Sequence, residues 1–144
     1  MISPDGHWLA YTSNESGIFE VYVRAFPDRG GRWKISDGGG SHPVWSHNGR
    51  ELFFRSGDNR IMVATYTVKG DSIVLPAQPR AWSEKRLLNI ADFATGNFDV
   101  TPDGKRVAAL MPVETPEFQQ AQNHVVLLVN FFDELRRRVP VGGK

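Results

Sequence analysis

Ile2-Ser3-Pro4-Asp5-Gly6-His7-Trp8-Leu9-Ala10-Tyr11 is a unit that recurs twice. It returns as Trp45-Ser46-His47-Asn48-Gly49-Arg50-Glu51-Leu52-Phe53-Phe54, and again as Val100-Thr101-Pro102-Asp103-Gly104-Lys105-Arg106-Val107-Ala108-Ala109. The shared pattern is apolar, Ser or Thr, any residue, Asp or Asn, Gly, two mostly polar residues, then an apolar run. Proline presets φ at the first central position of a tight turn. Asp or Asn bonds local backbone at the second, and Gly accepts positive φ at the exit. Asn48 replaces Asp on the same logic, and His47 loses only the proline's preset. Each unit therefore reads as a corner between two strands. Asp5, Asn48 and Asp103 read as turn formers, ahead of catalytic or metal-binding groups.

The corner glycines Gly6, Gly49 and Gly104 stand 43 and 55 residues apart. A period of roughly 40–45 residues is that of a four-stranded propeller blade. The longer interval predicts an insertion within 75–97. Strands are expected at 7–13, 18–26 and 33–36 after the first corner. They are expected at 51–56, 61–68 and 73–75 after the second, and at 105–111 and 124–130 after the third. All are short and rich in Val, Ile, Tyr and Phe, with Gly, Asn, Asp or Pro between them. Segments 41–46 and 96–101 supply a strand ahead of the second and third corners, and the counterpart before Ile2 is absent. Trp8 and Ala10 alternate with Leu9 and Tyr11, and Ile61 and Val63 with Met62 and Ala64. Apolar character on both faces suits sheets sandwiched between neighbours.

The fold expected is all-β: a partial β-propeller of two complete four-stranded blades, about 2–40 and 41–90, plus most of a third, about 96–130. The N-terminal strand is missing, and a short C-terminal helix and tail occupy 131–144. Asn130 would cap that helix, with Asp133 and Glu134 in its first turn and Arg136, Arg137 and Arg138 in its last. Phe131, Leu135 and Val139 recur at helical spacing, and Pro140 with Gly142-Gly143 ends the run. The three arginines read as a solvated helix end suited to the dipole.

The corner at 2–13, Phe19-Glu20-Val21-Tyr22-Val23, Trp33-Lys34-Ile35-Ser36 and Pro43-Val44-Trp45-Ser46 together resemble the TolB-like, WD-type β-propeller repeat. The likeness covers about 2–111 and, more loosely, 124–130. The stretch 130–140 also resembles the end of propellers that follow bacterial serine/threonine kinase domains. No kinase motif is present in this chain: it has no glycine-rich nucleotide loop ahead of a strand lysine, no His-Arg-Asp and no Asp-Phe-Gly. Propellers use roughly four to eight blades. The resemblance therefore implies the C-terminal fragment of a larger propeller, or a unit that closes by self-association. Expressed alone, such a stack should oligomerise or aggregate, because its end sheets leave edges and faces uncovered.

Composition narrows the function classes. With 14 Gly and 9 Pro in 144 residues, about 16% against roughly 12% on average, the chain is turn-rich without the signature of disorder. A net charge of +1 supplies no overall basic field for nucleic acid. No cysteine is present, which excludes a disulfide framework, a thiolate metal site and a cysteine nucleophile while leaving the compartment open. The longest apolar run, 125–129, is far too short to span a bilayer. Met1-Ile2 runs straight into a corner, without the positive segment and apolar stretch of a secretory signal. Residue 1 is therefore not expected to be a natural domain edge.

The search for chemistry assigns no catalytic residue, cofactor or metal. His7, His42, His47 and His124 show neither metalloprotease nor zinc-finger spacing. His42 and His47, five apart on an extended segment, should point to opposite faces. Gly38-Gly39-Gly40 leads into a strand rather than a helix, so it reads as a link between blades, not a phosphate cradle. No Gly-x-Ser-x-Gly elbow occurs. Trp8 and Trp45 lie in the repeat and read as packing, while Trp33 and Trp82 are less constrained and open to surface contacts. A propeller enzyme would need polar groups converging near the inner strands, and the candidates are His42, Asn97 and Asp99. The favoured reading is a non-catalytic scaffold whose loops bind a protein or peptide, within a larger signalling or periplasmic-type protein. The alternatives are a structural remnant with no separable activity and, further back, part of a hydrolase or lyase.

Overall fold

The computed structural model describes residues 1–27, 30–70, 72–75, 77–89 and 96–112. Eleven strands occur among them, all within one unit, Met1–Pro112. The first sheet is an antiparallel meander of β1 (Trp8–Ser13), β2 (Glu20–Ala25) and β3 (Arg32–Lys34). The second contains β4 (Gly40–Trp45), β5 (Glu51–Ser56), β6 (Arg60–Thr65) and β9 (Arg80–Arg86) in the order β4-β5-β6-β9. A separate hairpin joins β7 (Thr67–Lys69) to β8 (Ser72–Val74), and a last pair joins β10 (Phe98–Val100) to β11 (Val107–Ala109).

The three sequence corners are one structure repeated. Gly6, Gly49 and Gly104 have φ of 75°, 68° and 70°. Their N–H groups donate to the carbonyls of Ser3, Ser46 and Thr101 at 2.9, 3.2 and 2.8 Å. Oδ1 of Asp5, Asn48 and Asp103 accepts the N–H two residues on, from His7, Arg50 and Lys105, at 3.1, 2.9 and 3.0 Å. The register across each corner is also the same: Ile2 faces Leu9, Trp45 faces Leu52, and Val100 faces Val107. Turn chemistry accounts for the repeated spacing of these residue types along the chain.

The second sheet lies between two apolar layers. Leu52 and Phe54 of β5, with Trp45 and Ala64, pack on Trp8, Ala10, Val21 and Val23 of the first sheet. Phe53 of the same strand, with Ile61 and Val63, packs on Phe98 and Val100 of β10. Consecutive residues of β5 thus serve opposite cores, which is why it reads Leu-Phe-Phe without alternation. The first sheet differs: Leu9 and Tyr11 on its other face are only half-buried.

Several expectations need correction. The fourth strand of the second sheet is β9, not 73–75. The run expected as one strand over 61–68 breaks after Thr65, and 67–74 folds back on itself as the β7–β8 hairpin. The extra length lies in two connections: 66–79 stands where residues 26–31 suffice in the first sheet, and 87–97, inside the expected 75–97, stands where residues 35–39 suffice after β3. The first sheet has three strands, corresponding to those expected at 7–13, 18–26 and 33–36 but one short of a complete four-stranded blade, with Met1–Ile2 as a stub beside β1: Ala10 N–H donates to the Met1 carbonyl at 2.9 Å. The described part of the third repeat has two strands. The sheets are stacked but form no closed ring among the described residues. The expected strand at 124–130 and the helix and tail at 131–144 lie outside the described residues.

Candidate functional site

Antiparallel order places the β1–β2, β3–β4 and β5–β6 connections at the end of the sheets opposite the repeated corners. These connections enclose a cleft of about 380 Å³, with Ile18, Phe19, Gly39, Arg55, Gly57 and Asn59 among its walls. Ile18 and Phe19 are exposed large apolar residues at its rim.

The glycine wall is held from below by a buried carboxylate. Ser36 Oγ donates to Glu20 Oε2 at 2.5 Å and accepts the Val21 N–H at 2.8 Å. The Gly39 N–H reaches the same carboxylate oxygen at 3.3 Å, and Lys34 Nζ lies 2.9 Å from Oε1. Burial pushes the Glu20 carboxyl up, but the Ser36 hydrogen bond and the Lys34 ammonium outweigh it and hold the group below its ordinary value. The hydrogen bond to Glu20 raises Lys34 in turn. The Gly40 N–H is spent on the Phe19 carbonyl at 2.8 Å. With Gly39 and Gly40 committed inward, the glycine run is a link between sheets, as its sequence context predicts.

Beside this loop, β4 carries a bulge between Ser41 and Val44, and His42 adopts a φ of 54°. A non-glycine residue in the left-handed region is uncommon, and bulges re-aim side chains. Here the His42 ring turns back, and its Nδ1 lies 3.1 Å from Ser41 Oγ. The same hydroxyl accepts from Arg55 Nε at 3.2 Å, which leaves its hydrogen for His42 Nδ1. Arg55 is 6% exposed, and burial pushes its guanidinium down from its ordinary value. Ser41, His42 and Arg55 thus form one polar group, of which Ser41 and Arg55 line the cleft.

The enzyme candidates do not assemble as a trio. His42 neighbours β10: a methyl group at Gly96 would stand 3.9 Å from His42 Cδ2. Asn97 is buried, and its Nδ2 donates to the Leu88 carbonyl at 2.8 Å. Asp99 faces the exposed side of β10, and its Oδ1 accepts the Val100 N–H at 2.8 Å. His47 is exposed, His7 lies 3.7 Å from the Asp5 carboxylate, and His124 is outside the described residues. Among the described residues, no three His, Cys, Asp or Glu side chains gather closely enough to hold a metal ion.

Trp8 and Trp45 are buried between the sheets, Trp33 meets Trp8 edge to face at 5.5 Å, and Trp82 packs on the second core. All four tryptophans serve packing. Sequence reasoning missed the Ser41–Arg55 pair, the Glu20–Ser36 pair and the rim residues Ile18 and Phe19. One signal was available: Arg55 interrupts an apolar strand at a position that faces the second core's side of β5.

No protein-family model matches the sequence, and no curated protein aligns with it significantly. No helix among the described residues is long and apolar enough to cross a membrane.

Proposed function

We propose that this chain is a stack of TolB-like, WD-type propeller blades that acts as a non-catalytic scaffold and binds a protein or peptide at its loop end. The observation that carries the reading is the cleft built by three successive connections, with Ile18 and Phe19 exposed at its rim. Neighbouring exposed apolar side chains at the edge of a cleft are a feature of interaction surfaces. The repeated corner, its constant register and the packing of the second sheet on both faces support the blade assignment.

Selection of random heptapeptides against the full chain tests this. Enrichment of a sequence pattern is expected, with binding weakened at least about tenfold by the Ile18→Ser/Phe19→Ser pair, a difference of about 1.4 kcal/mol. Enrichment that ignores those substitutions places the binding surface elsewhere. No enrichment removes the scaffold reading and leaves a structural remnant.

A further inference from the structure

The cleft walls hold two carboxamides that the protein's own hydrogen bonds leave unused. Asn59 and Asn89 both line it, Asn59 half-buried and Asn89 exposed. Among the described residues, neither side chain has a hydrogen-bond partner. Polar groups around them are committed within the protein. Ser56 Oγ donates to Asp58 Oδ1 at 2.6 Å and accepts the Arg60 N–H at 3.0 Å. Ser41 Oγ is shared by Arg55 and His42. The Gly39 N–H ends on Glu20, and the Gly57 N–H on the Gly39 carbonyl at 3.2 Å. Both asparagines hang from anchored main chain. Asn59 has a φ of 66°, its N–H donates to the Ser56 carbonyl at 3.0 Å, and its carbonyl accepts the Leu87 N–H at 2.7 Å. One residue before Asn89, the Leu88 N–H donates to the Leu110 carbonyl at 2.9 Å.

Resting on the peptide-binding reading, we propose that the cleft reads peptide main chain: the carboxamides of Asn59 and Asn89 pair with the backbone N–H and C=O groups of an extended segment, and one of its side chains meets Ile18. A carboxamide carries an acceptor oxygen and two donor hydrogens, which is the complement of a peptide group. The glycine wall suits the same occupant. A methyl group at Gly39 would stand 3.0 Å from Gly57 Cα, and without side chains at these positions a ligand backbone can come close. Ile18, 52% exposed at the rim, supplies the apolar contact. Recognition of this kind selects an extended shape and tolerates varied side chains, because the bonded groups are the ones every peptide has.

The probe is the tightest heptapeptide selected against the unmodified full chain, remade with each main-chain N–H in turn replaced by an ester oxygen. At least one ester is expected to bind about tenfold more weakly than the parent peptide. That loss should shrink to less than about twofold in Asn59→Gly or in Asn89→Ala, where the hydrogen bond it removes is already gone. Glycine suits the left-handed backbone at 59, so the first variant deletes the carboxamide and keeps the turn. Esters that all bind within about twofold of the parent overturn the main-chain proposal while the peptide-binding reading stands. A sensitive ester that keeps its full loss in both variants, folded by circular dichroism, overturns the assignment to Asn59 and Asn89. Selection of no peptide overturns both readings. If Asn59→Gly does not fold, Asn89→Ala and the ester series on the unmodified chain still support or overturn the proposal.

Discussion

Trp45 and Tyr66 meet edge to face, with ring centroids 5.2 Å apart and planes 75° from parallel. The Trp45 indole N–H also donates to the Met1 carbonyl at 3.1 Å. One side chain of the second repeat thus touches the stub of the first sheet and the residue that follows β6. Trp45→Ala is expected to destabilise the fold by about 3–5 kcal/mol. Trp45→Phe should cost less, about 1 kcal/mol of it from the lost hydrogen bond. Urea unfolding followed by circular dichroism checks both. A Trp45→Ala midpoint equal to that of the unmodified chain would mean the two sheets are not held together here.

Glu20 links acid stability to the glycine loop. Its folded-state ionisation lies below the ordinary value of 4.5. Its stabilisation is therefore complete above about pH 4.5 and is lost as pH falls through the depressed folded value. Glu20→Gln should cost about 1–3 kcal/mol at pH 7, because Ser36, Gly39 and Lys34 lose a charged acceptor. It should also flatten the acid limb of a melting-temperature profile between pH 7 and 3. Some slope will remain, since Asp5, Asp58 and Asp103 are also held low. Parallel profiles for the two proteins would exclude Glu20 as a source of the acid dependence.

At the alkaline end Tyr66 sets the direction. Burial, helped by the nearby Asp5 charge, pushes its phenol up from 10.0 to about 12. A folded value above the unfolded one gives stability that is full below pH 10 and declines as pH rises toward 12. Tyr66→Phe should remove part of that decline. Urea midpoints at pH 9 and pH 11 measure it, and an undiminished loss in Tyr66→Phe would exclude the phenol as its source.

The β7–β8 hairpin is anchored by one side chain. Ile73 is 4% exposed and joins the core between the first two sheets, whereas Val68 and Val74 are exposed. Ile73→Ala is expected to cost about 2 kcal/mol or more, and Val68→Ala less than about 0.5 kcal/mol. Equal effects in chemical denaturation would show the hairpin to be held by its own pairing.

Gly40 is required for space. A methyl group there would lie 2.5 Å from Ser36 Cβ and 3.3 Å from Val21 Cγ2, both buried. Gly40→Ala should destabilise by about 1–3 kcal/mol through overpacking. Amide exchange should report the loosening first at Val21 and Gly39, whose N–H groups bind the displaced Ser36–Glu20 pair. Unchanged protection at both would place the strain elsewhere.

Local interactions were open to a reader of the amino acids alone. The corners at Gly6, Gly49 and Gly104 depend on residues within a few positions of one another. Strand β5 follows from its own apolar run and appears at 51–56 as expected. The outermost strand was hidden because Arg80–Arg86 reads Arg-Ala-Trp-Ser-Glu-Lys-Arg, with no fully buried residue. Only pairing with β6 makes it a strand. Conversely, Ile73 belongs to a strand that the amino acids announce, but its partner is β7, since a short hairpin closes at less entropic cost than a return to the sheet. The cleft was beyond reach for the same reason. Its walls come from residues near 18, 39 and 56, and nothing local says that these three connections share an end. Alternating strand direction brings them together, and burial sets Arg55 apart from most other described charges of the chain.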